Sequence, residues 1–191
     1  MRFLPILPLA LACLLTTAAP SLAAPVDEAD RIPLDVRRTT LVVRDMEEAL
    51  RFYRDAIGLR VVYDNMIRTP RSAASDAEAE RALRLVFLQA NDDYIGIIGM
   101  IEYTKPRKPE PESQVEAFGI GSTIFVVNAE NLDETFARAS QVPGVSVLSE
   151  PAETTYPSYD GSGTIPVRVS VLRDMNGYIV ELNQLLVDSP R

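Results

Sequence analysis

Residues 38–63, RTTLVVRDMEEALRFYRDAIGLRVVY, follow a pattern that restarts about eighty residues later, and this repetition confines the chain to folds assembled from duplicated units. Thr39 to Val43 is β-branched and apolar apart from its threonines, the composition of a buried strand. Asp45 stands before Met46-Glu47-Glu48, a capping-box arrangement in which Asp45 accepts from the amide three residues on while Glu48 reaches back. Met46, Ala49, Leu50, Tyr53 and Ile57 then share one helical face. Gly58 ends the helix, and Leu59 to Tyr63 resumes as strand. Asn65 to Ala79 is polar and reads as a loop with a short helix near Ser75. Leu83 to Leu88 and Tyr94 to Tyr103 read as strands joined at Asn91-Asp92-Asp93.

The second run repeats this order. Ser122 to Val127 aligns with Arg38 to Val43 at an offset of 84, and Asn131-Leu132-Asp133-Glu134 reads as a second capping box ahead of Phe136 and Ala139. Val145 to Leu148, Thr164 to Leu172 and Tyr178 to Leu185 follow as strands, the last two joined by a turn at Asn176-Gly177. Lys105 to Glu112 carries three prolines and alternating charge, which resists helix and strand alike and marks a linker. The expectation is an α+β domain over residues 36–186 with two βαβββ units, 36–103 and 118–186, joined by the linker 104–117. In each unit one apolar helix covers one face of a small curved sheet, and the other sheet faces are left to form a curved sheet around a shared cleft.

Two absences limit the chemistry. No histidine occurs among the 191 residues, which removes the usual general base and the imidazole ligand of most zinc, iron and nickel sites. The single cysteine, Cys13, lies in an apolar run, Phe3 to Leu15, that follows Met1-Arg2 and precedes the small-x-small pattern Ser21-Leu22-Ala23. That run reads as a signal peptide, residues 1–23, too short to span a bilayer core of about 30 Å and expected to be removed on export to the periplasm or outside the cell. Ala10-Leu11-Ala12 before Cys13 fits a lipid-attachment site poorly. The net charge of −8 argues against nucleic acid or an anionic membrane surface as a partner.

The segments Thr40-Leu41-Val42-Val43-x-Asp45-x-Glu47-x-Ala49-x-x-Phe52-Tyr53 and Arg173-Asp174-Met175-Asn176-Gly177-Tyr178-Ile179-Val180-Glu181-Leu182 resemble signature stretches of the vicinal oxygen chelate superfamily. This glyoxalase/bleomycin-resistance/dioxygenase group is built from paired βαβββ units, and the resemblance covers about residues 36 to 186. It implies a cleft whose enzymes hold a divalent metal with four side chains, usually His or Gln, Glu, His and Glu. The corresponding positions here are Arg38, Gly99, Ser122 and Glu181, so the resemblance implies a degenerate site with no metal and no cofactor. A register slip would substitute Glu102 for Gly99, although strand alternation turns Glu102 to the opposite face. A guanidinium at Arg38 repels a divalent ion from the same pocket.

Arg38 and Glu181, both in the cleft by the family geometry, are expected to form an ion pair that either plugs a vestigial metal site or leaves Arg38 to bind the carboxylate or phosphate of a ligand. Tyr103 and Tyr156 are candidate pocket walls, with Tyr63, Tyr94 and Tyr159 beside them, and Ser122 completes the candidate ligand-binding set. The expected function is metal-free binding of a small organic, anionic molecule in the cell envelope. The alternative is a lyase or isomerase resembling glyoxalase, with Glu181 as base or residual metal ligand. The cleft closes within one chain or, in a homodimer, by exchange between two.

Overall fold

The computed structural model describes residues 26–111, 116–159, 161 and 163–187, so the signal-like segment and Cys13 lie outside the described residues. The first unit runs β1 (Arg38–Val42), α1 (Met46–Leu50), β2 (Arg60–Thr69), β3 (Arg81–Gln89) and β4 (Ile97–Lys105). The second runs β5 (Ile124–Asn128), α2 (Leu132–Ala139), β6 (Ser146–Pro157), β7 (Thr164–Arg173) and β8 (Ile179–Leu185). The fold is α+β with two similar βαβββ halves. Each half carries its own four-stranded sheet, ordered β1-β4-β3-β2 and β5-β8-β7-β6, in which the first and last strands of each unit pair in parallel.

The strand pattern explains which face each sheet buries. Leu41 and Val43 on β1, Val86 and Leu88 on β3 and Ile98 and Met100 on β4 pack against α1, while Leu172, Val180 and Leu182 join the same core from the second unit with Leu132 and Ala139 of α2. The alternate positions Arg38, Thr40 and Val42 are left on the face away from the helix.

The start of α1 is capped as expected by Asp45, whose Oδ1 accepts from the Glu48 amide at 2.9 Å. Glu48 does not reach back; its carboxylate lies 3.8 Å from Arg51. Past Leu50 the helix widens over Arg51–Ala56, with the Ile57 amide donating to the Phe52 carbonyl five residues back at 2.9 Å. This wider turn buries Phe52 and Ala56 beside Tyr53, which an ideal helical spacing omits, and leaves Ile57 only partly covered.

The second capping box is not made. Asn131 makes no side-chain bond to the helix backbone; its amide donates to Glu134 at 3.3 Å and its Oδ1 accepts from Thr135 Oγ1 at 3.2 Å. Two strands also run further than their composition suggests. β2 continues to Thr69 through residues expected as loop, and β6 continues to Pro157. Both are edge strands, where polar residues face solvent, and β6 absorbs Pro151 at register shifts between Val147 and Ala152. At Ser75 there is a single turn, closed by the Ala79 amide on the Ser75 carbonyl at 3.2 Å, rather than a helix.

The duplication is not uniform in register. β5 follows β1 and α2 follows α1 by 86 residues (38 to 124, 46 to 132), whereas β8 follows β4 by 82 (97 to 179). An alignment at 84 is therefore two residues out at the first strand of the second unit.

The seam between units is closed by side chains. The turn at Asp174–Tyr178 inserts into the first unit: Asn176 Oδ1 accepts from the Arg44 amide at 2.9 Å, and the Tyr178 hydroxyl bonds both the amide and the carbonyl of Val42 at 3.1 Å. Gly177, at φ +96°, allows the tight return.

Candidate functional site

On the first sheet, the face away from α1 carries a row across four strands, Thr40, Gly99, Phe87 and Tyr63, each opposite the next in register. Phe87 stacks on Tyr63 with ring centroids 4.9 Å apart, and the Arg38 guanidinium lies 4.1 Å above the Phe87 ring. Arg38 reaches Phe87 by crossing Gly99. A Cβ at that position would lie 3.2 Å from Arg38 Cδ and 2.7 Å from Thr40 Oγ1. Gly99, expected at the second ligand position, is thus what gives the arginine its path. Among the described residues the Arg38 guanidinium makes no hydrogen bond or ion pair, so its N–H donors stay open. Arg37 lies similarly over Tyr94, at 4.8 Å.

On the second sheet, Glu181 stands between Val126 and Val171. Its Oε1 accepts from the Tyr156 hydroxyl at 3.0 Å and from Asn183 Nδ2 at 3.3 Å, while Oε2 accepts nothing among the described residues. Tyr156 pairs with Ile165, six residues along β7 from Val171, a separation of roughly 20 Å in an extended strand. For the hydroxyl to touch Glu181, the β6–β7 hairpin must coil over the sheet. The open cavity beside it, about 690 Å³, is lined by apolar Val126, Ile165, Val167 and Leu185 and by polar Asn128, Glu181 and Asn183. Burial, and then the bond to Glu181, pushes the Tyr156 hydroxyl up, so it remains a donor at neutral pH.

The structure sorts the residues singled out in the sequence. It brings Glu181 and Tyr156 together in this cavity, with Tyr159 at its margin. It does not join Arg38 to Glu181: the expected ion pair is absent, because Arg38 is taken up by Phe87 and Glu181 by Tyr156 and Asn183. Ser122 precedes β5, and its hydroxyl donates to the Glu116 carbonyl at 2.9 Å. By the register of the second unit, the residue equivalent to Arg38 is Ile124. Tyr103 lines a different cavity, beneath the linker. Glu102 is no substitute for Gly99; its Oε2 accepts from the Met46 amide at 3.2 Å, on the helix side of the sheet, as alternation requires.

Asn128, Asn183 and Phe87 were not singled out, though each carried a signal. Asn183 stands two residues after Glu181 on one strand, hence on one face, so that a second polar side chain accompanies the glutamate there.

Arg38, Gly99, Ile124 and Glu181 do not fit a divalent metal. They offer one carboxylate, no second donor, and a cation in the position of the first ligand. Among the described residues no three His, Cys, Asp or Glu side chains cluster in a way that could hold a metal ion.

Among solved structures, a glyoxalase family protein from Bacillus cereus superposes with a TM-score of 0.62 at 16% identity, covering 84% of this chain and all of that one. A glyoxalase I variant from Zea mays gives 0.52 at 14% identity over 78% of this chain, which spans only 46% of the maize chain. An antibiotic binding protein from Streptomyces gives 0.48 at 17% identity over 81% of this chain and 99% of that one. At these identities the likeness concerns the fold. No curated protein matches the chain. The family model matches residues 36–182, the whole of the duplicated fold up to the strand that carries Glu181, and the chain belongs to the Glyoxalase/Bleomycin resistance protein/Dioxygenase superfamily.

Proposed function

We propose that this protein binds a small organic molecule, without a metal, in the cavity beneath the β6–β7 hairpin, and that it does so as an exported protein of the cell envelope. The observation that carries the proposal is the state of Glu181. The side chain at the family's last ligand position is held by Tyr156 and Asn183 on one oxygen, keeps the other without a donor among the described residues, and lines a cavity of about 690 Å³ with apolar and polar walls, a size suited to a small molecule. A ligand with an apolar body and an amine or other N–H donor matches that lining, since the donor meets Oε2 in a charge-assisted bond. An anionic group on the same ligand would be excluded from this cavity and would belong at Arg38, on the other sheet.

The enzyme alternative needs Glu181 to take a proton. Its Oε1 is already engaged by Tyr156 and Asn183, which leaves Oε2 alone for that role.

A thermal-shift screen of matched amines, alcohols and carboxylates tests the binding proposal, with Glu181→Gln as control. Apolar amines should raise Tm in the wild type, and Glu181→Gln should lose most of that rise. A chelator should leave Tm unchanged. Stoichiometric metal in purified protein, lost on changing Glu181, would overturn the proposal. Export is tested by N-terminal sequencing of the secreted fraction, with a start at Ala24 expected.

A further inference from the structure

Beneath the linker lies a second cavity, of about 400 Å³, that takes no part in the Glu181 site. Val42 and Tyr103 come to it from the first unit, Asn176 and Tyr178 from the second, and residues 107–111 of the linker close it over. Its charges are Arg44, Arg107 and Lys108 against Glu110 alone, in a protein whose net charge is −8. Arg44 is committed, since its Nε donates to Glu110. Lys108 is not, and Arg107 is held by a long ion pair to Glu102. Lys108 Nζ rests 4.6 Å above the Tyr103 ring and donates to no acceptor among the described residues. Arg107 stands 3.7 Å from Glu102 Oε1, beyond hydrogen-bond length, and the other oxygen of Glu102 is spent on the Met46 amide.

We infer that this linker cavity is a second ligand site, for a small organic anion carrying a carboxylate, sulfonate or phosphate on an apolar or aromatic body. The volume falls in the range of small-molecule sites. The body would lie against Tyr103, Tyr178, Val42 and Pro109, and the anionic head would meet Lys108, whose donors are unspent, and the exposed guanidinium of Arg107, whose ion pair with Glu102 exceeds hydrogen-bond length. Cations gathered around apolar walls raise the local concentration of an anion, even on an acidic protein. A ligand here touches both units and the linker, so it would fasten the linker onto the seam.

The test is calorimetric titration with naphthalene-2-sulfonate and, as the uncharged probe of similar body, 2-naphthalenemethanol. The wild type should bind the sulfonate more tightly than the alcohol, and added salt should weaken only the sulfonate. Arg107→Glu with Lys108→Glu should reduce sulfonate affinity by about tenfold or more and leave the alcohol unchanged. Glu181→Gln should leave both unchanged, which separates this site from the proposed amine cavity. Arg107→Gln with Lys108→Gln, which reverses no charge, should give an intermediate loss. No sulfonate binding by the wild type at about 1 mM, equal affinity in the charge-reversed variant, or a loss matched in Glu181→Gln would overturn the inference.

Discussion

The Tyr53 hydroxyl donates to Asp174 Oδ2 at 2.9 Å, and both residues are almost fully buried, at 1% and 2% exposure. This bond ties the helix of the first unit to the β7–β8 turn of the second. The Asp174 carboxylate also accepts from the amides of Asn176 and Tyr178, at 2.9 and 2.8 Å, so it holds its own turn in shape while the turn is inserted in the seam. The Tyr53–Asp174 bond is a structural element of the duplication, and neither residue lines the cavity beside Glu181.

Tyr53→Phe keeps the ring and removes only the hydroxyl, leaving Asp174 to its two amide donors. Loss of one hydrogen bond to a buried carboxylate should cost about 1–3 kcal/mol in urea unfolding. Asp174→Ala should cost more, because it strands the Tyr53 hydroxyl and two amides together. Unchanged stability in Tyr53→Phe would show that the seam does not depend on this bond.

The same carboxyl makes stability depend on pH in an unusual direction. Burial raises the Asp174 pKa above its ordinary 3.8, outweighing the opposing bonds from Tyr178, Tyr53 and Asn176. A folded pKa above the unfolded one means that the folded state holds its proton more firmly. The linked stability is therefore complete below 3.8 and is lost as pH rises through the folded value. Asp64, lowered by its bond to Arg84, acts in the opposite sense, with stability present above 3.8 and lost as pH falls through its folded value. Subtracting Asp174→Asn from wild type isolates the first effect: the wild-type advantage should shrink from about pH 3 towards pH 7. An advantage that grows over that window would contradict the burial argument.

Glu102 is placed to serve α1. Its carboxylate meets the Met46 amide at the positive end of the helix, with 12% of the side chain exposed. Glu102→Ala should cost about 0.5–2 kcal/mol of stability, and Glu102→Gln, which retains an acceptor, should cost less. Ligand affinity at the Glu181 cavity should be the same in both variants. A selective loss of ligand binding without loss of stability would return Glu102 to the site.

The strand and helix order was legible because hydrophobic period and caps agree at Asp45, Gly58 and Gly177, where local chemistry admits few alternatives. Register was less legible. Ser122 was matched to Arg38 because the apolar runs beginning at Thr39 and Thr123 look alike, yet the two intervals of 86 and 82 residues average to the 84 that a single alignment finds. The helix caps, Asp45 and Asn131, carried the correct interval. Of the site, Glu181 was visible through its strand context; Asn183, which the sequence reading omits, is reachable from Glu181 by strand alternation. The Tyr156 contact was not readable in advance. It depends on how far the β6–β7 hairpin coils, which local sequence does not specify. The failed Arg38–Glu181 pair has a similar cause, since Phe87, two strands away from Arg38, decides where the guanidinium rests.

Gly99→Ala examines that last point directly. The added Cβ would sit 2.7 Å from Thr40 Oγ1 and 3.2 Å from Arg38 Cδ, both tighter than ordinary van der Waals contact. Thr40 is short and held in β1, so the strain cannot be relieved there without shifting the strand, whereas Arg38 can swing away from Phe87. The variant should lose about 1–3 kcal/mol through overpacking, and the Phe87 ring resonances should move as the guanidinium leaves. Thr40→Ala removes the nearest atom, so the Gly99→Ala, Thr40→Ala double variant should recover a good part of the loss, a coupling measurable in a double-mutant cycle. If Gly99→Ala proved neutral and left the Phe87 resonances in place, Arg38 would not depend on the glycine for its path across the sheet; if removing Thr40 Oγ1 gave no recovery, the strain would not lie at Thr40.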